Sequence, residues 1–303
     1  MISNAVVKLN NVSVRYGKAT AVDDVSLSVS PGSVYALLGR NGAGKTSLVR
    51  CLVGQQKPTH GVVTIFGRSV WNDRASLMSR VGIVPEDPDA PPEMTTTEIV
   101  RFCARLYPKW DAAGVAERLR RFDIPQTIPY GRLSKGQRRQ VLLSIVLAGS
   151  PELLVLDDPT LGLDVVARKE LFEELVTELA ERGTTVVVTT HDMPGIEAIA
   201  DRVGIMKEGR LVLDEDLETL KWRFRRLRYA TAPVPAESVE LNQLETTSVR
   251  RWGNGTEAVV SNYDDVLLER FRSVSGVRNV EVSPMSLEEI FIAVAGEQKG
   301  ANS

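Results

Sequence analysis

The sequence predicts an α/β fold with a mostly parallel sheet, broken by a helical insertion and followed by a small α+β domain. Three observations predict it. Up to about residue 215, short β-rich runs alternate with helical patterns, the signature of strands joined by helical crossovers. From about 94 to 148 no convincing strand is seen. After Leu220 the pattern changes to short alternating strands around one helix.

The elements follow in order. Residues 34–38 (VYALL) read as a buried strand running directly into a glycine-rich turn. Residues 82–92 hold Pro85, Pro88, Pro91 and Pro92 with Glu86, Asp87 and Asp89 between them, and read as a stiff loop leading into the insertion. Within the insertion, helices are expected over 95–106, capped by Thr95 or Thr96, and over 111–122, capped by Asp111. A third opens at Ser134 and runs to Ala148. Residues 153–156 (LLVL) and 185–190 (TVVVTT) are two more buried strands. Between them, Leu171, Phe172, Leu175, Val176 and Leu179 recur at helical spacing over 166–182, which completes a βαβ unit.

Residues 1–220 are thus expected to form one domain, with the insertion at about 94–148, and 221–303 a smaller accessory one. TAPVPAE at 231–237 reads as a linker. Strands are expected at 257–261 and 277–282 around a helix at 264–272. KWRFRRLR at 221–228 reads as a helix with one solvated and one packed face; a nucleic-acid or lipid-surface patch is the other reading.

Composition narrows the function. Lys plus Arg is 37 against 39 Asp plus Glu, a net charge of −2, which argues against nucleic-acid binding through bulk charge. Two cysteines and two histidines leave little for a disulfide framework or a zinc site. The longest apolar run, 141–148, is well short of the roughly 18 residues that span a bilayer. Residues 1–11 lack the basic start and apolar core of a secretory signal. A soluble protein of a reducing compartment is expected.

Three groups of residues carry chemistry. GRNGAGKT at 39–46 fits G-x-x-x-x-G-K-S/T, and it lies where that phosphate-binding loop must lie, between a buried strand and a helix. Gly39, Gly42 and Gly44 let the backbone turn, so that N–H groups of the loop, with Arg40, Asn41, Ala43 and Ser47 completing it, converge on one anion. Lys45 would neutralise the β- and γ-phosphates, and the Thr46 hydroxyl could ligate Mg²⁺. LLVLDDPT at 153–160 then places Asp157 at the carboxyl edge of the sheet, able to hold Mg²⁺, and Asp158 facing the water that attacks the γ-phosphate. The alternative is that both acids only cap the turn before Pro159. LSKGQ at 133–137 is, on its own, a capped helix start whose N–H groups would face an anion.

With these motifs in this order, residues 5–220 resemble the ATP-binding subunits of ABC transporters. The resemblance implies a phosphate-loop NTPase core with an antiparallel β subdomain, and ATP and Mg²⁺ as ligands. It makes Ser134, Lys135, Gly136 and Gln137 the signature, which binds the γ-phosphate held by a second subunit in a head-to-tail dimer. It makes Asp164, in LGLD, a residue of the dimer seam, and His191 a γ-phosphate contact. Tyr16 would be the aromatic residue stacked on adenine; a core residue is the other reading. Three positions depart from the commonest pattern. Glu86, an expected catalytic and Mg²⁺-binding residue, replaces Gln, Lys135 replaces Gly, and Asp158 replaces the catalytic Glu. Its carboxylate must work from about 1.5 Å further back, and small misplacements cost on the order of 10²-fold.

The resemblance further implies a separate permease in the membrane, a second ATP-binding subunit (a second copy or a different chain), and a place on the cytoplasmic face. The Pro-Glu at 85–86, LSKG, and the ending SPMSLEEIFIAVAGE resemble the branch that exports drugs, antibiotics, ions and polysaccharides. The alternatives are a catalytically weakened regulatory subunit and a non-transport ABC ATPase.

Overall fold

The computed structural model describes residues 5–107, 109–231, 239–252 and 255–296. The chain divides into two compact units, Met1–Leu211 and Val212–Ser303. The linker expected at 231–237 lies, from residue 232, outside the described residues.

The first unit opens with β1 (Val7–Tyr16), β2 (Ala19–Val29) and β3 (Val34–Gly39), followed by α1 (Lys45–Leu52), β4 (His60–Ile65), β5 (Arg68–Ser69), α2 (Val70–Met78) and β6 (Val81–Val84). The insertion supplies α3 (Thr96–Ala104), α4 (Ala112–Arg121) and α5 (Lys135–Ala148). The chain continues through β7 (Leu153–Asp157), α6 (Val165–Arg182), β8 (Thr185–Thr190), α7 (Met193–Glu197) and β9 (Arg202–Lys207), and β10 (Arg210–Asp216) carries it over the unit boundary.

Two sheets build this unit. One has the order β2-β1-β4-β5, with every pairing antiparallel. The other has the order β10-β9-β3-β8-β7-β6, and β9, β3, β8, β7 and β6 pair in parallel. The fully buried runs β3, β7 and β8 are its centre, as expected of a sheet covered on both faces. One apolar core, including Val7, Leu9, Tyr35, Leu37 and Leu52, joins the antiparallel sheet and α1 to the parallel sheet. The insertion has its own core around Ile99, Leu119, Tyr130, Val141 and Ile145.

Two helix starts of the insertion follow the expected side chains. Thr95 and Glu98 form a reciprocal capping box on α3, and the Asp111 carboxylate accepts from Gly114 N–H at 2.8 Å on α4. The expected loop at 82–92 is corrected at its start, because residues 82–84 belong to β6 and pair with β7. A Cβ on Gly82 would collide with the Val146 side chain of α5, so this glycine marks a close helix–sheet approach.

The second unit holds α8 (Leu217–Arg223), β11 (Arg225–Thr231), α9 (Val239–Gln243), β12 (Thr246–Trp252), β13 (Gly255–Val260), α10 (Asp265–Arg272), β14 (Val277–Pro284) and α11 (Leu287–Ala295). Its sheet, β12-β13-β11-β14, is antiparallel, and Leu227, Tyr229, Val260 and Phe271 pack in its core. The helix expected over 221–228 is a second correction: α8 ends at Arg223 and 225–228 is strand. Strand alternation buries Leu227, while Arg226 and Arg228 turn to the other face, where the buried Glu257 meets both together with Arg250.

Candidate functional site

The loop at 39–46 forms the turn from β3 into α1. Ala43 N–H donates to the Arg40 carbonyl at 3.0 Å, which closes the turn. Gly44 caps α1 at φ +103°, and a Cβ there would run into the Ala21 carbonyl oxygen, so only glycine fits. The first turn of α1 carries no acid, which leaves its positive end uncompensated.

Beside the loop lies a cleft of about 410 Å³, lined by Ala21, Asn41, Gly42, Ala43, Gly44, Lys45, Thr46, Ser47, Glu86, Asp157 and Asp158. That volume suits a small-molecule ligand. Lys45 Nζ donates to the Gly39 carbonyl at 2.6 Å and the Arg40 carbonyl at 3.3 Å. Burial pushes its ammonium below the usual lysine value, against the pull of Asp158, Asp157 and Glu86. An anion delivered to the cleft would offset the cost of that burial by favouring the charged ammonium.

The two acids sit at the carboxyl end of β7. Asp157 is buried and accepts a 2.5 Å hydrogen bond from Thr189 Oγ1 on β8. Asp158 is in the left-handed region at φ +48°, and its N–H donates to the Thr189 carbonyl at 2.9 Å and hydroxyl at 3.0 Å. His191, one residue past β8, places Nδ1 2.8 Å from Asp158 Oδ2. Asp158 Oδ1 is buried with no hydrogen-bond partner among the described residues. Both carboxylates thus engage side chains at or just past the end of β8.

Glu86 follows β6 by two residues and faces the same cleft. Its main-chain oxygen accepts from Nη2 of the buried Arg139 on α5. Tyr16 is 46% exposed, so it is not a core residue. Its hydroxyl donates to Gln56 Oε1 at 2.5 Å and lies 3.4 Å from Ser47 Oγ, which fixes the ring beside the loop.

Residues 134–137, the expected signature, are not brought to this cleft. Ser134 Oγ accepts from Gln137 N–H at 3.1 Å, and Gln137 Oε1 accepts from Ser134 N–H at 3.0 Å, a reciprocal cap that opens α5. Gly136 packs near Leu163, and Lys135 lines a second cleft of about 470 Å³ with Glu86, Asp87, Arg138 and Arg139. Asp164 Oδ1 accepts from Ala167 N–H at 2.9 Å at the start of α6 and lines neither cleft.

The donors suit Mg²⁺. Among the described residues no group of three or more His, Cys, Asp or Glu could hold a metal by itself. The cleft instead offers hard oxygen donors, the Thr46 hydroxyl and the carboxylates of Asp157 and Glu86. Mg²⁺ is commonly bound through one or two protein groups together with substrate phosphates, and this set fits that mode. The sequence reading missed Thr189, Ala21 and Arg139; only the threonine left a trace, a polar residue at the end of an apolar strand.

Residues 22–161 match the ABC transporter family. Among relatives, the chain is 32% identical to the bacitracin transport ATP-binding protein BcrA of Bacillus licheniformis, over 74% of each chain. It is 35% identical to the Nod factor export ATP-binding protein I of Burkholderia orbicola, over 70% of this chain and 71% of the relative. Among solved structures, it resembles an ATP-binding cassette in a dimeric post-hydrolysis state bound to ADP and Pi. That likeness has a TM-score of 0.63 at 26% identity and covers 70% of this chain and 98% of the other.

Proposed function

Because the chain belongs to the ABC transporter family and is one of its ATP-binding subunits, we propose that it powers a transporter by hydrolysing ATP in the cleft over α1, with Asp158 activating the attacking water. The observation that carries this reading is the convergence of Lys45, Thr46, Glu86, Asp157 and Asp158 on one cleft at the N-terminus of α1.

Backbone N–H groups of the loop and the positive end of α1 receive the phosphates, and Lys45 exchanges its carbonyl partners for phosphate oxygens in charge-assisted hydrogen bonds. Thr46 and Asp157 would hold Mg²⁺, with Glu86 beside them, and the bound ion would neutralise charge on the β- and γ-phosphates. His191 holds Oδ2 of Asp158, and Oδ1 carries no competing hydrogen bond among the described residues. Asp158 takes a proton from water as the water oxygen bonds to the γ-phosphorus. The bond from that phosphorus to the bridging oxygen breaks, its electron pair leaves with ADP, and the proton then passes from Asp158 to solvent. Tyr16 offers its exposed ring to the adenine.

The signature residues Ser134, Lys135, Gly136 and Gln137 lie away from the cleft of their own chain and open α5 with its positive end. They serve a second ATP-binding subunit, with Asp164 at the seam. ATP touching both subunits favours the closed pair, because only that state makes both sets of contacts. Among the described residues no helix is long and apolar enough to cross a membrane. The transport pathway is assigned to a separate permease, with this chain on its cytoplasmic face. The export reading rests on the relative named for Nod factor export. Residues 221–303 form an accessory unit that supports the pair or regulates it.

A catalytically weakened subunit is the second reading, favoured by the short Asp158 side chain with one oxygen on His191 and the other buried. Binding of a fluorescent ATP analogue tests the site: Lys45→Ala should lose it, and equal affinity would sink the reading. Co-purification with an integral membrane protein is the result expected of a transporter subunit. Recovery with ribosomes or DNA instead would overturn it.

A further inference from the structure

Thr189 is fully buried near the end of β8, where an unpaired hydroxyl would cost about 1–3 kcal/mol. Its partners are the two acids of the cleft. Asp158 N–H can only donate, so at this contact the Thr189 oxygen accepts and its single proton goes to Asp157 Oδ1. The hydroxyl therefore has one orientation, fixed from both sides. The strand register sets the same arrangement, because Asp157 lies opposite Thr189 across the β7–β8 pair. Asp158 needs the restraint: it is a non-glycine residue at φ +48°, a conformation that persists where its surroundings hold it.

We propose that Thr189 is a positioning residue for the hydrolytic site. Its hydroxyl engages Oδ1 of the Asp157 carboxylate, which would leave Oδ2 for the Mg²⁺ that this cleft would hold. The same atom, with the Thr189 carbonyl, fixes the backbone turn that aims Asp158. It touches neither ATP nor metal and acts through the two acids. The inference rests on Asp157 being a metal-side residue. Outer-shell groups of this kind typically change metal affinity or activity by 10–100-fold when removed.

The test is equilibrium binding of a fluorescent ATP analogue titrated with Mg²⁺, for the parent, Thr189→Val, Thr189→Ser and Asp157→Asn. Valine keeps the shape and removes the hydroxyl; serine keeps the hydroxyl and removes a methyl. Expected is a rise of about tenfold or more in the half-saturating Mg²⁺ concentration for Thr189→Val. Thr189→Ser should remain within about twofold of the parent, and nucleotide binding in chelator should match across the Thr189 variants. In the double variant Thr189→Val/Asp157→Asn the valine should add no further shift. A parent-like Mg²⁺ dependence in Thr189→Val, beside a shifted Asp157→Asn, would overturn the proposal. So would equal losses in the valine and serine variants, which would mean packing alone. If Asp157→Asn shifts nothing, the metal-side reading of Asp157 is what fails. If Thr189→Val does not fold, Thr189→Ala takes its place; failure of both to fold while Thr189→Ser folds assigns the hydroxyl to stability and overturns the proposal.

Discussion

Replacing Arg118 by Met should destabilise the first unit by about 3 kcal/mol. Arg118 lies on α4 of the helical insertion, and its Nε donates to Glu174 at 2.5 Å and its Nη2 to Glu178 at 3.0 Å, both on α6. The three side chains are 10%, 6% and 2% exposed, so the charges have little water to fall back on. Removing one partner of a buried ion pair typically costs about 3–5 kcal/mol, because the other charge is left uncompensated. Here Arg121 still reaches Glu174 and Arg182 lies 3.5 Å from Glu178, which places the loss near the lower end. At about 2–4 °C per kcal/mol for a unit of this size, the melting transition should drop by about 6–12 °C.

The same substitution should depend on pH. Burial holds the Glu178 carboxyl above its usual range, with Arg182 and Arg118 pulling it down and Glu174 and Glu181 pushing it up. The folded state then binds that proton more tightly than the unfolded chain, so the contribution is greatest at low pH and is lost as pH rises through the raised value. Without Arg118 the carboxyl rises further, and the deficit should be larger at about pH 8 than at about pH 5.5. Thermal unfolding at both pH values, followed by circular dichroism, is the assay. The triple variant Arg118→Met/Glu174→Leu/Glu178→Leu should recover much of the loss, since an apolar trio replaces the buried charges. A drop under about 2 °C, or the same deficit at both pH values, would refute the reasoning.

Gly44→Ala should weaken nucleotide binding at least tenfold and cost about 1–3 kcal/mol, read by fluorescent-ATP titration and melting temperature, because φ +103° and the Ala21 carbonyl both reject a Cβ. Burial pushes the Cys51 thiol up to about 11, which leaves on the order of 10⁻³ as thiolate at pH 8. An aromatic disulfide reagent should therefore label the half-buried Cys103 first and Cys51 only on unfolding; rapid native labelling of Cys51 would contradict this. In the second unit, burial alone would raise the Glu257 carboxyl, but Arg228, Arg250 and Arg226 outweigh it and hold it below the usual range. Its contribution is present at neutral pH and is lost as pH falls below the usual glutamate range and through the lowered value. Amide exchange in β11 and β13 should accelerate there, and Glu257→Gln should produce that acceleration already at pH 7.

The parts of the site that were legible in the sequence are local. A phosphate loop needs glycines, a lysine and a hydroxyl within eight consecutive positions, and Thr95, Asp111 and Ser134 announce the helix starts they cap. Chain order alone also placed Asp157 and Asp158 at a strand end. What was not legible depends on partners far apart in the chain. Nothing near Arg118 signals that it meets Glu174 and Glu178, and Thr189 reads as one more strand threonine until β7 is laid beside β8. Gly82 reads as a loop residue because the Val146 side chain that requires it lies on α5. In 225–228, alternation of period two was hidden by the density of arginine, which suits a helix face as well as a strand whose outer face meets a buried glutamate.

The central claim is that Asp158, one methylene shorter than the usual glutamate, is a working base in this cleft. Steady-state phosphate release from Mg²⁺-ATP tests it most directly, measured at concentrations that favour association of two subunits, for the parent, Asp158→Asn and Lys45→Ala. The parent should turn over. Asp158→Asn should bind ATP as tightly yet lose about 10²–10⁴-fold in rate, the usual contribution of a positioned base, and Lys45→Ala should be silent. Turnover in Asp158→Asn equal to that of the parent would contradict the account.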